Sequence, residues 1–242
     1  MSTPRLRMFA GPNGSGKSTL NESLNEKLLG VYINADEIEK EILKTQYFDL
    51  SKYNIDMESK EVSAFFIYHA LTHKACLDDD VGKLRYVGNK IDFKNVRVNS
   101  YFASICADFV RHKLLEYRVS FTFETVMSSD DKVEFLKKAQ DLGYRTYLYF
   151  IATKDPLINI SRVENRVKMG GHPVPKEKII SRYYRSLELL NEAVMYASRA
   201  YIFDNSSYKK VWLAEVTNGK NLELKTEYIP QWLSTYLLKK ES

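Results

Sequence analysis

Hydrophobic and polar positions change period repeatedly along the chain, and the changes mark out its elements. Arg5 to Ala10 is a short apolar-rich run that ends at a glycine-rich segment, and from Ser18 to Leu29 leucine recurs at helical spacing as Leu20, Leu24 and Leu28. The opening therefore predicts strand, loop and helix. Val31 to Asn34 reads as a second strand, with a helix over Asp36 to Leu43. Alternating β-branched and aromatic residues from Val119 to Glu124 predict a third strand, Arg145 to Ala152 a fourth and Tyr201 to Asp204 a fifth.

Two prolines sharpen the helix starts. Asp155 before Pro156 reads as an N-cap with proline in the first helical position, and Pro175 precedes a helical stretch from Lys176 to Ala197. Two helices thus flank Gly170-Gly171. Strands alternating with helices favour a mainly parallel sheet covered on both faces. Handedness then puts the C-terminal strand ends, and the ligand-binding loops, on one edge. Two stretches depart from this pattern. Lys209 to Val216 and Asn221 to Tyr228 flank Asn218-Gly219, which predicts an antiparallel hairpin. Between Tyr47 and Tyr117 the chain is far longer than a crossover needs, and Lys83 to Val87 and Lys90 to Val98 bracket Gly88-Asn89 as a second hairpin between helices. The expected fold class is α/β: a P-loop NTPase fold with a mainly parallel central sheet of about five strands flanked by helices. We expect one domain over residues 1–242, with an insertion at 47–117 that sets acceptor specificity and a C-terminal hairpin plus helix at 207–242.

Composition changes this picture little. With 242 residues, 44% of them hydrophobic, the chain can bury a core without disulfides or a structural metal. Cys76 and Cys106 form no CxxC pair, so neither a zinc site nor a disulfide framework is indicated, and a reducing cytoplasm fits. No apolar run reaches the roughly 18 residues a membrane span requires, and Met1 to Arg7 lacks the apolar stretch of a signal peptide. We expect a cytoplasmic protein with no membrane partner. The net charge of +5 is modest, but Arg162 to Arg185 holds seven Lys or Arg against Glu164 and Glu177. Such a stretch either draws an anion or is a solvated helix face.

The segment Gly11-Pro12-Asn13-Gly14-Ser15-Gly16-Lys17-Ser18 decides the chemistry. It matches GxxxxGK[ST] between a predicted strand and helix, the context that phosphate binding requires. Glycines let successive backbone N–H groups face a β-phosphate, and the following helix adds its positive end. Lys17 is expected to bridge the β- and γ-phosphates of ATP and the Ser18 hydroxyl to bind Mg²⁺. Gly11, Asn13, Gly14, Ser15, Gly16 and Thr19 complete the expected nucleotide cradle. Asp36 follows the second strand, where a carboxylate can take a proton from a substrate hydroxyl. Spacing alone favours a plainer role, capping the helix from Glu37. Glu124 and Thr125 end the third strand, but Phe121-Thr122-Phe123-Glu124 is not a conventional Walker B run, so Glu124 stays open between metal water-shell contact, substrate binding and surface. Arg162 and Arg166, four apart, share a helix face beside the Gly170-Gly171-His172 turn, as suits a lid over a transferring phosphoryl group; surface pairs with Glu164 or Glu188 are the plain alternative. His172 reads as structural.

These pieces, taken in order, resemble the zeta-toxin-like P-loop family: GPNGSGKST, Asn34-Ala35-Asp36-Glu37-Ile38, Phe123-Glu124-Thr125, Arg162-Val163 and Arg166-Val167 leading into Gly170-Gly171-His172-Pro173-Val174-Pro175, Arg182-Tyr183, and Asp204-Asn205-Ser206. The resemblance covers roughly residues 4–44 and 119–206. It implies a kinase that moves the ATP γ-phosphoryl group to an alcohol acceptor, because the family's best-known members phosphorylate UDP-N-acetylglucosamine and are held inactive by an antitoxin. It further implies a base at Asp36, reversing the preference for a cap, a substrate or metal-shell role for Glu124 beside Thr125, phosphate-binding arginines at Arg162 and Arg166, and an adenine-side loop at Asn205. Glu124-Thr125-Val126-Met127 lacks the glycine and arginine found after that acid in zeta toxins proper, which makes the chain more similar to the zeta-like ATPase branch.

Two rival readings follow from the residues. GPNGSGKST also occurs in ABC-type ATPases, but the LSGGQ-type signature and the Asp-Glu run they need are absent from the sequence. In the insertion, Lys83, Arg85, Lys90, Lys94 and Arg97 interleave with Tyr86, Phe93 and Tyr101, a pattern compatible with nucleic-acid binding. A hairpin packing its aromatics on the core gives the same pattern and is the preferred reading. The expected partners are a small-molecule phosphate acceptor, a nucleotide sugar among the candidates, and an antitoxin protein.

Overall fold

The computed structural model describes residues 3–21, 26–56 and 58–238. Its strands are β1 (Arg5–Ala10), β2 (Val31–Ile33), β3 (Tyr47–Asp49), β4 (Arg85–Val87), β5 (Lys90–Asp92), β6 (Phe121–Thr125), β7 (Arg145–Ala152), β8 (Arg199–Asp204), β9 (Val211–Thr217) and β10 (Asn221–Leu224). The chain forms two compact units, one of residues 1–30 and 122–242, the other of residues 31–121.

In the first unit the strand order is β10-β9-β8-β7-β1-β6. The pairs β1–β7 and β7–β8 are parallel, while β8–β9 and β9–β10 are antiparallel. The predicted C-terminal hairpin is present and extends the main sheet instead of standing apart as a ribbon. Its turn carries Asn218 and Gly219 at φ 52° and 68°, the left-handed pair that this dipeptide supplies cheaply.

Alternation along the strands gives the sheet two different faces. Leu6, Met8, Leu148, Phe150, Ala200 and Ile202 are fully buried on one of them. Helices Asp131–Asp141 and Leu190–Met195 pack against β7, and Trp232 lies 6.2 Å from Phe150. On the opposite face the register sets Phe9, Tyr149 and Tyr201 side by side, with ring centroids 4.7 and 5.0 Å apart, and Trp212 continues the row at 6.2 Å. Arg7 and Arg145 lie over Tyr147 at 5.2 and 5.5 Å, and Lys225 over Trp212 at 4.9 Å. Cross-strand aromatic pairs and cation–π contacts of this kind each add a fraction of a kcal/mol to about 1 kcal/mol. The face therefore satisfies itself laterally. Leu20 and Leu29, from the segment after the glycine loop, complete this side by packing on Phe9 and Ile151. That segment is described as helices Lys17–Asn21 and Glu26–Leu29, and the predicted Leu24 position lies outside the described residues.

The predicted helix over Lys176 to Ala197 is instead two, Lys176–Glu188 and Leu190–Met195, with a break between fully buried Leu187 and Leu190. Helix Asp131–Asp141 was not anticipated, because its hydrophobic positions Val133, Phe135, Leu136 and Ala139 are interrupted by six charged residues among the other seven.

In the second unit, helix Ala35–Thr45 packs on helix Ser100–Glu116, burying Ile38 and Ile42. The anticipated hairpin β4–β5 forms, and the unpredicted β3 joins it antiparallel in the order β3-β5-β4. Phe93 is fully buried against Phe102 at 5.6 Å. Lys83 pairs with Asp80 at 2.7 Å, Lys90 with Asp49 at 3.4 Å, and Lys94 lies over Tyr47 at 4.9 Å. These contacts are those of a packed hairpin with a solvated basic face.

Asp36 does not cap its helix. The helix starts at Ala35, and the cap is Asn34, whose Oδ1 accepts from the Asp36 N–H at 2.9 Å while its Nδ2 donates to the Tyr32 hydroxyl at 3.3 Å. Asp36 is exposed in the first turn, so its carboxylate is not committed to the cap. We expect Asn34→Ala to cost about 1 kcal/mol in urea unfolding. Asp36→Asn should cost only the charge–dipole term of about 0.3–1 kcal/mol.

Candidate active site

The glycine loop between β1 and helix Lys17–Asn21 bends through left-handed backbone. Gly14 and Gly16 have φ of 75° and 97°. A side chain at Gly14 would come within 2.7 Å of the Asn159 carbonyl, and one at Gly16 would run into the Asn205 amide, so both positions require glycine twice over. Lys17 Nζ donates to the carbonyls of Gly11 at 2.8 Å and Pro12 at 3.0 Å, laying the ammonium along the loop. Thr19 Oγ1 donates back to the Gly16 carbonyl at 2.8 Å.

Two asparagines hold this loop from outside. Asn159, fully buried in helix Pro156–Lys168, donates from Nδ2 to the Asn13 carbonyl at 2.6 Å and accepts from the Thr153 hydroxyl. Asn205 donates from Nδ2 to the Ser15 carbonyl at 2.7 Å, and its own N–H donates to the Ala152 carbonyl at 2.8 Å. Behind Asn205, buried Asp204 accepts from Trp232 Nε1, the Ser206 N–H and the Ser206 hydroxyl, each at 2.9 Å. Asp204 thus anchors the end of β8.

Glu124, at the end of β6, accepts from the Ser18 hydroxyl at 3.1 Å on Oε2. The third-strand acid and the metal-binding hydroxyl expected from the motif therefore meet, 106 residues apart in sequence. Thr125 is engaged locally, its Oγ1 accepting from the Met127 N–H at 3.1 Å. One hydroxyl and one carboxylate suit Mg²⁺, which takes few protein ligands and completes its octahedron with water and phosphate oxygens. Among the described residues no group of three or more His, Cys, Asp or Glu gathers into a metal cage. Ser15 is fully buried and its hydroxyl has no hydrogen-bond partner among the described residues. An orphaned hydroxyl inside such a loop fits a site that a bound anion completes.

The two helices after β7 form a hairpin with a small core of its own, Ile160, Val163 and Ile179 with Val167 and Val174. Asp155 caps the first helix by accepting from the Leu157 N–H at 2.7 Å. The Tyr183 hydroxyl ties the second to β7, donating to the Thr153 carbonyl at 2.6 Å; burial pushes its phenol pKa up and keeps it a neutral donor. Arg162 Nη1 donates to the Gly14 carbonyl at 3.5 Å. Arg166 is exposed and donates to the His172 carbonyl of its own turn at 3.3 Å. Glu164 pairs with Lys176 at 2.9 Å. Arg182, part of the Arg182-Tyr183 pair to which the sequence attaches no role, reaches Asn13 Oδ1 at 3.4 Å. Asn159 went unnoticed as well, although it lies three residues before Arg162 on the same helix face.

Residues 84–217 match the family described as Zeta toxin, more than half of the chain. The chain belongs to the zeta toxin family. The match begins inside the 47–117 stretch and stops short of the glycine loop on the N-terminal side. An uncharacterized protein of Haemophilus influenzae is 23% identical over 175 residues, covering 72% of this chain and 89% of that protein. Among solved structures, the PezAT toxin–antitoxin system of Streptococcus pneumoniae is similar in fold, with a TM-score of 0.53 at 14% identity over 100% of this chain and 81% of that one. A structure of AvrRxo1-ORF1:-ORF2 with ATP gives a TM-score of 0.53 at 14% identity over 92% of this chain; the zeta toxin family member described here spans 61% of that chain.

The paired asparagines carry a direct expectation. Asn159→Ala removes the buried amide that donates to the Asn13 carbonyl and leaves the Thr153 hydroxyl only its longer bond to the Asp155 carbonyl at 3.2 Å, which costs about 1–3 kcal/mol. Both urea stability and ATP affinity should fall. Undiminished affinity in calorimetric titration would mean that the loop keeps its shape without this tie.

Proposed function

We propose that this zeta toxin family member is an ATP-dependent phosphotransferase that moves the γ-phosphoryl group to a hydroxyl of a small molecule. The observation that carries the reading is the Ser18–Glu124 hydrogen bond at 3.1 Å beside a complete GxxxxGKS loop. A loop that merely turned the chain would need neither the acid nor the hydroxyl there. The AvrRxo1-ORF1:-ORF2 structure with ATP, similar in fold, supports ATP as the nucleotide.

Each residue of the chain then has a task. Gly11, Asn13, Gly14, Ser15, Gly16 and Thr19 shape the cradle, and Asn159 and Asn205 fix it. Lys17 holds charge on the β- and γ-phosphate oxygens. Ser18 and Glu124 hold Mg²⁺ directly or through its water shell, where the ion supplies charge neutralisation to the phosphates. Arg162 binds developing phosphoryl charge from the helical hairpin. Asp36, exposed and free of the capping duty, takes the proton of the acceptor hydroxyl, and the 47–117 stretch selects that acceptor. A nucleotide sugar is a candidate acceptor, and the toxin–antitoxin relationship of the PezAT system supports an inhibitory protein partner.

The test is to incubate the protein with labelled ATP and a pooled metabolite extract and to search by mass spectrometry for a product that gains one phosphoryl group. Asp36→Asn should keep nucleotide affinity while transfer falls by roughly 10²–10⁴. Transfer within about threefold of wild type would remove Asp36 as the base. ATP turnover with no phosphorylated product would replace the kinase by an ATPase.

A further inference from the structure

We infer that the second guanidinium acting on the terminal phosphate of the nucleotide is Arg182, and that Arg166 is a positioning residue which latches the lid turn. The assignment rests on the nucleotide-site reading above and departs from the pairing of Arg162 with Arg166 that sequence spacing suggested.

Three observations converge on it. Asn159 locks helix Pro156–Lys168 to the loop through the Asn13 carbonyl at 2.6 Å, and Arg162, three residues on, reaches the neighbouring Gly14 carbonyl. Arg166 lies a further four residues along, so its Cα is displaced by about 6 Å in the direction away from the loop. Its guanidinium turns to the His172 carbonyl instead. The other helix of the hairpin is pinned to the end of β7 by the Tyr183 hydroxyl, and Arg182 is the preceding residue. From there Arg182 reaches Asn13 Oδ1, one residue from the Arg162 contact. The two arms of the hairpin, joined by Ile160, Val163 and Ile179, thus present one arginine each to consecutive loop residues.

Arg162 and Arg182 are half-buried beside the loop, and their contacts with it run to the Gly14 carbonyl at 3.5 Å and to Asn13 Oδ1 at 3.4 Å, both long for hydrogen bonds from a charged donor. A phosphate oxygen offers a planar donor pair a far stronger partner at 2.7–2.9 Å in general. Arg166, exposed at the turn, keeps Gly170-Gly171-His172 closed, and so fixes where the hairpin places the other two.

Competition binding of ADP and of a non-hydrolysable ATP analogue to the full chain tests this without knowledge of the acceptor. Arg182→Ala and Arg162→Ala should each reduce the preference for the analogue over ADP by roughly ten- to a hundredfold, the range of one charge-assisted hydrogen bond. ADP affinity and melting temperature should stay near wild type, and Arg182→Lys should restore part of the preference. Arg166→Ala should leave the preference within about threefold while lowering affinity for both nucleotides together or melting temperature. An unchanged preference in folded Arg182→Ala, or its loss in Arg166→Ala, overturns this assignment alone. Failure of the wild-type chain to bind either nucleotide overturns the assignment together with the reading beneath it.

Discussion

Everything at the candidate site depends on holding a glycine-rich backbone in a conformation that it would not keep alone. Glycine gives the loop access to left-handed backbone and at the same time the largest conformational entropy to lose on ordering. Two side-chain amides, buried Asn159 and half-buried Asn205, oppose that loss. Asn159 claims the Asn13 carbonyl and Asn205 the Ser15 carbonyl, so alternate peptide planes of the loop are fixed from two different elements. Each donor is held in turn, Asn159 by the Thr153 hydroxyl and Asn205 through its backbone bond to Ala152. The same two strand ends, of β7 and β8, are adjacent and parallel in the sheet, which makes the cradle an extension of sheet geometry.

This dependence also explains why polar groups are buried so freely around the loop. Asp204, Thr153 and Asn159 are each buried, and each has its hydrogen bonds satisfied by neighbours at the C-terminal strand edge. Such groups are costly when unpaired and rigid when fully paired. These buried polar groups all lie on the loop side of the hairpin. At the far end Gly170 is exposed at φ 90° with open space about it, while Gly171 and His172 are partly buried beside Arg166.

The sequence was most legible where a local rule acts alone. β7 runs from Arg145 to Ala152 as its apolar alternation predicts, Asp155-Pro156 starts a helix, and Asn218-Gly219 turns a hairpin. It was least legible where the partner lies far along the chain. Nothing local distinguishes Asn159 from a surface residue of an amphipathic helix, or Arg182 from six other cations in its stretch; only folding brings both to Asn13. β3 was missed because three residues hold too short an alternation, and pairing with β5 makes it a strand. Spacing alone favoured Asp36 as the cap, two residues past the true cap, since Asn34 and Asp36 are both good caps and the helix begins between them; the family resemblance had already turned the reading of Asp36 towards a base.

The central claim is that the loop, Lys17 and the Ser18–Glu124 pair form one site for a magnesium-bound nucleotide. Calorimetric titration of the full chain with ATP, with and without Mg²⁺, tests it most directly, with Lys17→Ala and Glu124→Gln alongside. The account predicts one ATP per chain, tighter binding with Mg²⁺ in the wild type, loss of binding in Lys17→Ala, and in Glu124→Gln ATP binding that no longer responds to the metal. ATP binding that is indifferent to Lys17→Ala, or equally responsive to Mg²⁺ without the Glu124 carboxylate, would contradict it.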